Sequence, residues 1–224
     1  SSAIACYIIL NASAFISIFY VAWTIKKPIF SLIFLYSIYA LWKYSKQLKV
    51  KFLRGNIIVS WLVALSIINL GLFDILPIIG NENSSKIIFK IIICYSIFAF
   101  LMTLSREIIK DVEDLEGDKI LNSNTIILKF GLNKTKKVIN FLNTLIVILI
   151  GFWQYFQYSI NQSSFENNQK IEIWGTDTIS IIYTIIVQLF LILLIFKSNV
   201  AKSKSDFSFL SRLSKTIMII GIIS

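Results

Sequence analysis

The run Ser105-Arg-Glu-Ile-Ile-Lys-Asp-Val-Glu-Asp-Leu-Glu-Gly-Asp-Lys119 closes an apolar stretch, Ile87 to Ile109, that is long enough to cross a bilayer. A membrane-length segment that ends in carboxylates places a charged, hydrated cluster at the boundary of a hydrocarbon phase. Six of the twelve acidic residues of the chain fall between Glu107 and Asp118. A helix turning about 100° per residue puts Glu107, Asp111, Asp114 and Asp118 on one face, and leaves Glu113 and Glu116 off it. Carboxylates in that register, beside a helix C-terminus whose dipole disfavours anions, repel one another unless a cation sits among them. For a ligand set made of oxygen alone the cation expected is a hard divalent metal, Mg²⁺, holding a substrate phosphate. The plain alternative is a solvated helix end whose charges are simply exposed.

Outward from this run the chain reads as membrane almost throughout. Apolar residues make up 56% of the 224 and the mean hydropathy is +0.76. Seven spans are expected: Ala3 to Trp23, Pro28 to Trp42, Asn56 to Ile79, Ile87 to Ile109, Val138 to Tyr158, Thr178 to Phe196, and Leu213 to the end. The second and the last are short. Brief connections at Thr24 to Lys27 and Gly80 to Lys86 pair neighbouring helices as antiparallel hairpins, while the polar stretch Ser159 to Asp177 reads as a solvated outer loop. No linker or low-complexity tail divides the chain. The expectation is an all-α, polytopic helical bundle forming one membrane domain over residues 1–224.

Basic residues sort the loops by side. Lys43 to Arg54, Arg106 to Lys137 and Lys197 to Lys215, assigned to one side, collect 17 of the 22 Lys and Arg residues. The positive-inside rule makes that side the cytoplasm, and the acidic run lies on it although acids took no part in the count. The net charge of +10 is then an orientation signal with an attraction to anionic lipid heads, and no sign of nucleic-acid binding. Cys6 and Cys94 sit inside apolar spans without the spacing of a zinc site or disulfide framework. The absence of histidine removes the commonest general base and transition-metal ligand. Asp74, Asp177 and Asp206 stand as isolated acids.

The acidic run, Arg106-Glu-Ile-Ile-Lys-Asp-Val-Glu-Asp-Leu-Glu-Gly-Asp118, resembles the second Asp-rich motif of the UbiA-type intramembrane prenyltransferases, with the motif's acids falling on Asp111, Asp114 and Asp118. The loop Tyr44-Ser-Lys-Gln-Leu-Lys49, followed by Gly55-Asn56, is similar to that family's Tyr-Ser and Lys pattern between its fourth and fifth helices. The resemblance implies a nine-helix fold of which these seven spans are the third to the ninth. It places the family's first Asp-rich motif upstream of Ser1, and so implies that the 224 residues alone are inactive.

The implied activity is Mg²⁺-dependent prenyl transfer from an isoprenyl diphosphate, with Asp111, Asp114 and Asp118 as metal ligands and catalytic residues. Tyr44, Lys46, Lys49, Arg106 and Lys119 are the implied diphosphate-binding residues, although the loop lysines also suit membrane anchoring and Tyr44 an interfacial aromatic. Geranylgeranylglyceryl phosphate is the first acceptor expected. Aromatic acceptors of quinone biosynthesis, 4-hydroxybenzoate or dihydroxynaphthoate, form the alternative within the family. A cation-coupled transporter is the alternative outside it, though its acids belong at mid-depth within spans. Lys119, Asn122, Asn124 and Thr125, leading to Lys129, are expected to form a lid with a short amphipathic helix. Trp61, Phe73 and Phe100 either line a prenyl channel or pack. The partners expected are the isoprenyl diphosphate, the acceptor and membrane lipids, in a bacterial or archaeal cell membrane with the site facing the cytoplasm.

Overall fold

The computed structural model describes residues 2–48, 51–78, 83–120, 124–166 and 178–223. Its elements are helices: α1 (Ser2–Thr24), α2 (Ser31–Lys43), α3 (Arg54–Leu70), α4 (Asn83–Glu113), α5 (Leu115–Ile120), α6 (Ile126–Glu166), α7 (Thr178–Val200) and α8 (Lys204–Ile223). No strand occurs among the described residues. This is the all-α architecture the composition demands, because a backbone in hydrocarbon must satisfy its own hydrogen bonds and a helix does so within one segment.

Among the described residues five helices are long and apolar enough to cross a membrane: Ile4–Thr24, Arg54–Ile75, Ser85–Glu113, Ile126–Phe156 and Ser180–Val200. An integral membrane protein follows. The other two expected spans are helical but differ from this standard for separate reasons. The 13 residues of α2 reach only about 20 Å, short of the roughly 30 Å of hydrocarbon. The last helix begins at Lys204 rather than Leu213, so its first three turns carry Lys204, Asp206, Arg212 and Lys215. The helix expected to stop at Tyr158 runs on to Glu166, and the rest of the outer loop lies outside the described residues.

The chain divides within α4 into two compact units, Ser1–Phe100 and Leu101–Ser224. In the first, α1 reverses into α2 through Lys26, whose left-handed backbone (φ 58°) lets the Lys26 and Lys27 N–H groups donate back to the carbonyls of Trp23 and Ala22, both at 2.9 Å. Pro28 then opens a 3₁₀ turn, Pro28–Phe30, where a missing N–H costs nothing. Phe73, on the π turn Gly71–Ile75 that ends α3, packs edge-on against Phe30 with ring centroids 5.6 Å apart. That packing role answers for Phe73, whereas Trp61 is 41% exposed on α3. The large exposed apolar side chains of α1, Ile4, Ile8, Ile16 and Tyr20 among them, form a surface suited to lipid rather than water.

The second unit packs α6 against α7 and α7 against α8. Its buried residues recur at helical spacing: Ile139, Leu142 and Ile146 on α6, Val187, Leu191 and Leu194 on α7, and Phe207, Leu210 and Ile217 on α8. Polar groups join the helices between these rows. Gln154 Nε2 donates to Thr184 Oγ1 at 2.7 Å, and Asn140 Nδ2 to Asn199 Oδ1 at 2.6 Å. Bonds of this kind supply helix association in lipid, where apolar contact alone gives little preference for helix over solvent. Gly131, at φ 76° and ψ 171°, kinks α6 one turn after it begins. Thr135 Oγ1 donates to the Gly131 carbonyl at 2.9 Å and fastens the start of the long arm.

Candidate active site

At 1.5 Å per residue the 31 residues of α4 extend about 46 Å, well beyond the hydrocarbon thickness, so its acidic C-terminal end projects into the aqueous boundary. The helix breaks at Asp114, yet the register survives. The Asp114 N–H donates to Lys110 O at 2.8 Å and the Asp118 N–H to Asp114 O at 3.0 Å, both i to i−4, so α5 continues the spiral of α4. Glu107, Asp111, Asp114 and Asp118 therefore keep the common face expected of them. Leu101, Met102, Ser105, Ile108, Ile109 and Val112 are buried. On a helical wheel the centre of that buried row lies roughly opposite the carboxylate row, although Thr103, also buried, precedes Glu107 by one turn on the carboxylate side.

Individual acids differ. Asp111 and Asp118 are half-buried and Asp114 is exposed. Glu107 accepts from Arg106, Nη1 to Oε1 2.9 Å, in an ion pair whose side chains are only 18% and 22% exposed. The Arg106 Nε is buried without a hydrogen-bond partner. Lys119 is exposed at the end of α5, half-buried Glu113 and exposed Glu116 lie off the stripe, and nothing crowds Gly117. Among the described residues no three Asp, Glu or Cys side chains gather closely enough to hold a metal by themselves. Helical geometry gives the reason: Asp111 and Asp118 are separated by about 10 Å along the axis, with Asp114 between them, so the row offers neighbouring pairs rather than one convergent triad.

Asn143, fully buried on α6, supports the start of this run. Its Nδ2 donates to Ser105 Oγ at 2.8 Å and to the Ile139 carbonyl at 2.7 Å, tying α6 to the residue just before Arg106. An Asn inside an apolar span was the available signal, and it was not singled out in the sequence. The expected lid is only partly described: α5 supplies a short helix, Asn124 is exposed and Thr125 buried ahead of α6, and Asn122 lies outside the described residues.

In the first unit the basic turn is built by winding and not by loose coil. The helix α2 passes into a π turn, Tyr44–Leu48. Leu53, at φ 53°, then redirects the chain into α3. Gly55 makes the return possible, because a Cβ there would fall 2.9 Å from the Leu48 carbonyl oxygen and 3.2 Å from Tyr44 Cε2. Tyr44 is thus packed within the turn. Lys46 Nζ sits 4.4 Å from the centroid of Trp42, and Lys43 Nζ 5.5 Å from that of Tyr39. Lys49 lies outside the described residues. Three other cations of the basic loop, Lys43, Lys51 and Arg54, line a recess of about 450 Å³ together with Gln47 and the apolar Leu48, Ile57 and Ile58.

The chain is 30% identical over 184 residues to a digeranylgeranylglyceryl phosphate synthase of Methanosphaera stadtmanae, an alignment covering 81% of this chain and 56% of the relative. Proteins of the same name from Saccharolobus solfataricus and Sulfolobus acidocaldarius are 35% and 37% identical over 106 and 101 residues, 47% and 45% of this chain and 34% and 33% of theirs. The chain thus spans little more than half the length of the Methanosphaera relative. No protein-family model matches the chain, and no solved structure matches it. The acidic run, the helical membrane architecture and this set of relatives converge: the chain is similar to the UbiA-type prenyltransferases.

Proposed function

We propose that the protein transfers a prenyl group from an isoprenyl diphosphate to a glyceryl phosphate ether lipid, geranylgeranylglyceryl phosphate, at the cytoplasmic boundary of an archaeal or bacterial cell membrane. The observation that carries this reading is the preserved register of Asp111, Asp114 and Asp118 across the α4–α5 break, at the end of a span too long for the hydrocarbon. The relatives' names supply the substrate class, and the basic excess of 17 residues in 22 supplies the orientation.

The donor set fits Mg²⁺ in chemistry, since it is oxygen alone at a hydrated helix end. Asp111, Asp114 and Asp118 are the residues that would hold the ion. Once bound, the ion neutralises charge developing on the leaving diphosphate. Arg106 and Lys119, on the same helical run, add positive charge for that anion, and Tyr44, Lys46 and Lys49 carry the diphosphate roles that the family pattern gives them. The allylic carbon–oxygen bond breaks with its electron pair going to the diphosphate. A new carbon–oxygen bond then forms to the acceptor hydroxyl, which loses its proton. Apolar helix faces accommodate the prenyl tail and keep water from the allylic centre.

The test is product analysis of membranes carrying the complete protein, supplied with geranylgeranyl diphosphate and either geranylgeranylglyceryl phosphate or 4-hydroxybenzoate. A doubly prenylated glyceryl phosphate is expected. Prenylation of the aromatic acid alone would replace the acceptor class, and no product with either would remove the reading.

A further inference from the structure

We infer that Glu107 takes the proton of the acceptor hydroxyl and that the Thr103 hydroxyl holds the acceptor oxygen in place, an assignment that rests on the reading of the protein as a glyceryl phosphate prenyltransferase. That reaction frees one proton from the attacking hydroxyl. The chain holds no histidine, so the commonest general base is absent and a carboxylate is the group at hand. Asp111, Asp114 and Asp118 serve the metal, which leaves Glu107 as the fourth acid of the face. Its surroundings differ from theirs: it is 18% exposed, and its Oε1 accepts from Arg106 Nη1 at 2.9 Å, so one carboxylate oxygen is fixed by a neighbour. Thr103 lies four residues earlier, about 40° around the helix from Glu107, and is 3% exposed. Its Oγ1 is buried with no hydrogen-bond partner among the described residues. A buried hydroxyl on a helix ordinarily donates to a carbonyl of its own preceding turn, as Ser60 does to Asn56, Ser96 to Ile93 and Thr135 to Gly131. Thr103 makes no such bond, and a ligand that pairs its hydroxyl recovers what burial has cost it.

Depth decides which atoms these two groups meet. With the diphosphate at the aspartates and the prenyl tail in hydrocarbon, the allylic carbon lies on the membrane side of Asp111. On α4 that side carries Glu107 and then Thr103, about 6 and 12 Å before Asp111 along the axis. Exposure follows the same order, from buried Thr103 through half-buried Glu107 and Asp111 to exposed Asp114. Helical side chains lean toward the N-terminus, so the Glu107 carboxylate covers the turn that carries Thr103. An acceptor oxygen held there receives the Thr103 O–H and donates its own to Glu107. As the allylic carbon–oxygen bond breaks, its electron pair leaves with the diphosphate. A lone pair of the acceptor oxygen forms the new carbon–oxygen bond, the O–H electrons stay on that oxygen, and the proton passes to Glu107, which later yields it to water. Neutralising Glu107 releases the charge of Arg106 for the departing diphosphate, and the buried Arg106 Nε, which has no hydrogen-bond partner, is a further donor for that anion.

The experiment compares the complete protein in nanodiscs with its Glu107→Gln, Glu107→Asp, Glu107→Ala, Thr103→Val and Thr103→Ser variants. Two quantities are read: equilibrium binding of geranylgeranyl diphosphate with Mg²⁺, which needs no turnover, and the rate of prenyl transfer to geranylgeranylglyceryl phosphate. Glu107→Gln keeps an oxygen for Arg106 and is expected to bind the donor within about twofold of native while transferring about 100-fold more slowly. Glu107→Asp is expected to recover part of that loss, and added formate, a small carboxylate, to restore Glu107→Ala at least about tenfold where chloride does not. Thr103→Val is expected to raise KM for the lipid about tenfold with donor binding unchanged, and Thr103→Ser to stay near native. Transfer unaffected by Glu107→Gln would make the Arg106–Glu107 pair a bystander and overturn the assignment. A matching loss of donor binding would move Glu107 into the metal and diphosphate site, and a loss that neither formate nor Glu107→Asp relieves would make it a structural partner of Arg106. An unchanged lipid KM in Thr103→Val would remove Thr103 from the acceptor site. A native protein that forms no prenylated lipid would sink the proposed reaction itself, whereas native transfer with unaltered variants would sink this assignment alone. Donor binding at native affinity identifies the variants that are folded.

Discussion

Asp111, Asp114 and Asp118 share a helical face but not an environment. The outer two are half-buried and the middle one is exposed. A charge shielded from solvent interacts more strongly with a bound cation than one in bulk water. Asp111→Ala and Asp118→Ala are therefore expected to cost prenyl transfer about 100-fold, and Asp114→Ala about tenfold, in initial rates at saturating Mg²⁺. Equal losses at all three would contradict the ranking by burial. Asp206 shows what composition alone misses. It looked isolated in the chain, yet its Oδ2 accepts from the N–H groups of Lys202 and Ser203, both at 2.8 Å, and Ser203 Oγ accepts from the Asp206 N–H at 3.2 Å. The pattern Ser-x-x-Asp is a helix-start signature, and it begins α8 nine residues before the apolar span expected from Leu213. Those backbone hydrogen bonds, from Lys202 first and then Ser203, lower the Asp206 pKa from 3.8 to about 2. A depressed pKa stabilises the fold above the unfolded value, so the contribution is complete above about pH 3.8 and disappears as pH falls through about 2. Hydrogen exchange at the Lys202 and Ser203 amides should quicken across that window in the native protein, and Asp206→Asn should flatten the dependence.

At the level of elements, apolar length was a reliable guide and the joints between elements were not. The spans became α1 to α4 and α6 to α8 because a backbone in lipid has few alternatives to the helix. The winding of the basic turn depends on Leu53 at φ 53° and on the close return of Gly55 beneath Leu48, neither of which has a periodic signature. Gly131 is the clearest case. Its φ of 76° and ψ of 171° fall in a region essentially reserved for glycine, although a Cβ there would meet no atom within 4 Å. The cost of Gly131→Ala is hence backbone strain and not collision, about 1–3 kcal/mol. Thermal unfolding in detergent should show that loss, while Gly117→Ala, at an open helical position, should be neutral or slightly stabilising. A destabilisation at Gly117 matching that at Gly131 would refute the assignment of strain to the kink.

For the whole molecule, the acidic run is the feature that reads from sequence through to function. Its spacing alone gave the common face, and the i to i−4 bonds at Asp114 and Asp118 preserve that face where a break at Asp114 could have destroyed it. The basic loop reads in sequence both as membrane anchors and as a holder of phosphate oxygens, and the π turn Tyr44–Leu48 brings Lys43, Lys51 and Arg54 around one recess, a grouping that has no periodic signature. The central claim is that the aspartates of this run activate an isoprenyl diphosphate through Mg²⁺. Its most direct measurement is diphosphate release by the protein in membranes with geranylgeranyl diphosphate and geranylgeranylglyceryl phosphate, with and without Mg²⁺, comparing native protein with Asp111→Ala, Asp118→Ala and the off-stripe Glu116→Ala. Release that requires Mg²⁺, falls about 100-fold with each aspartate substitution and stays within about twofold for Glu116→Ala is the predicted result. Release that persists without Mg²⁺ or in the aspartate variants would contradict it.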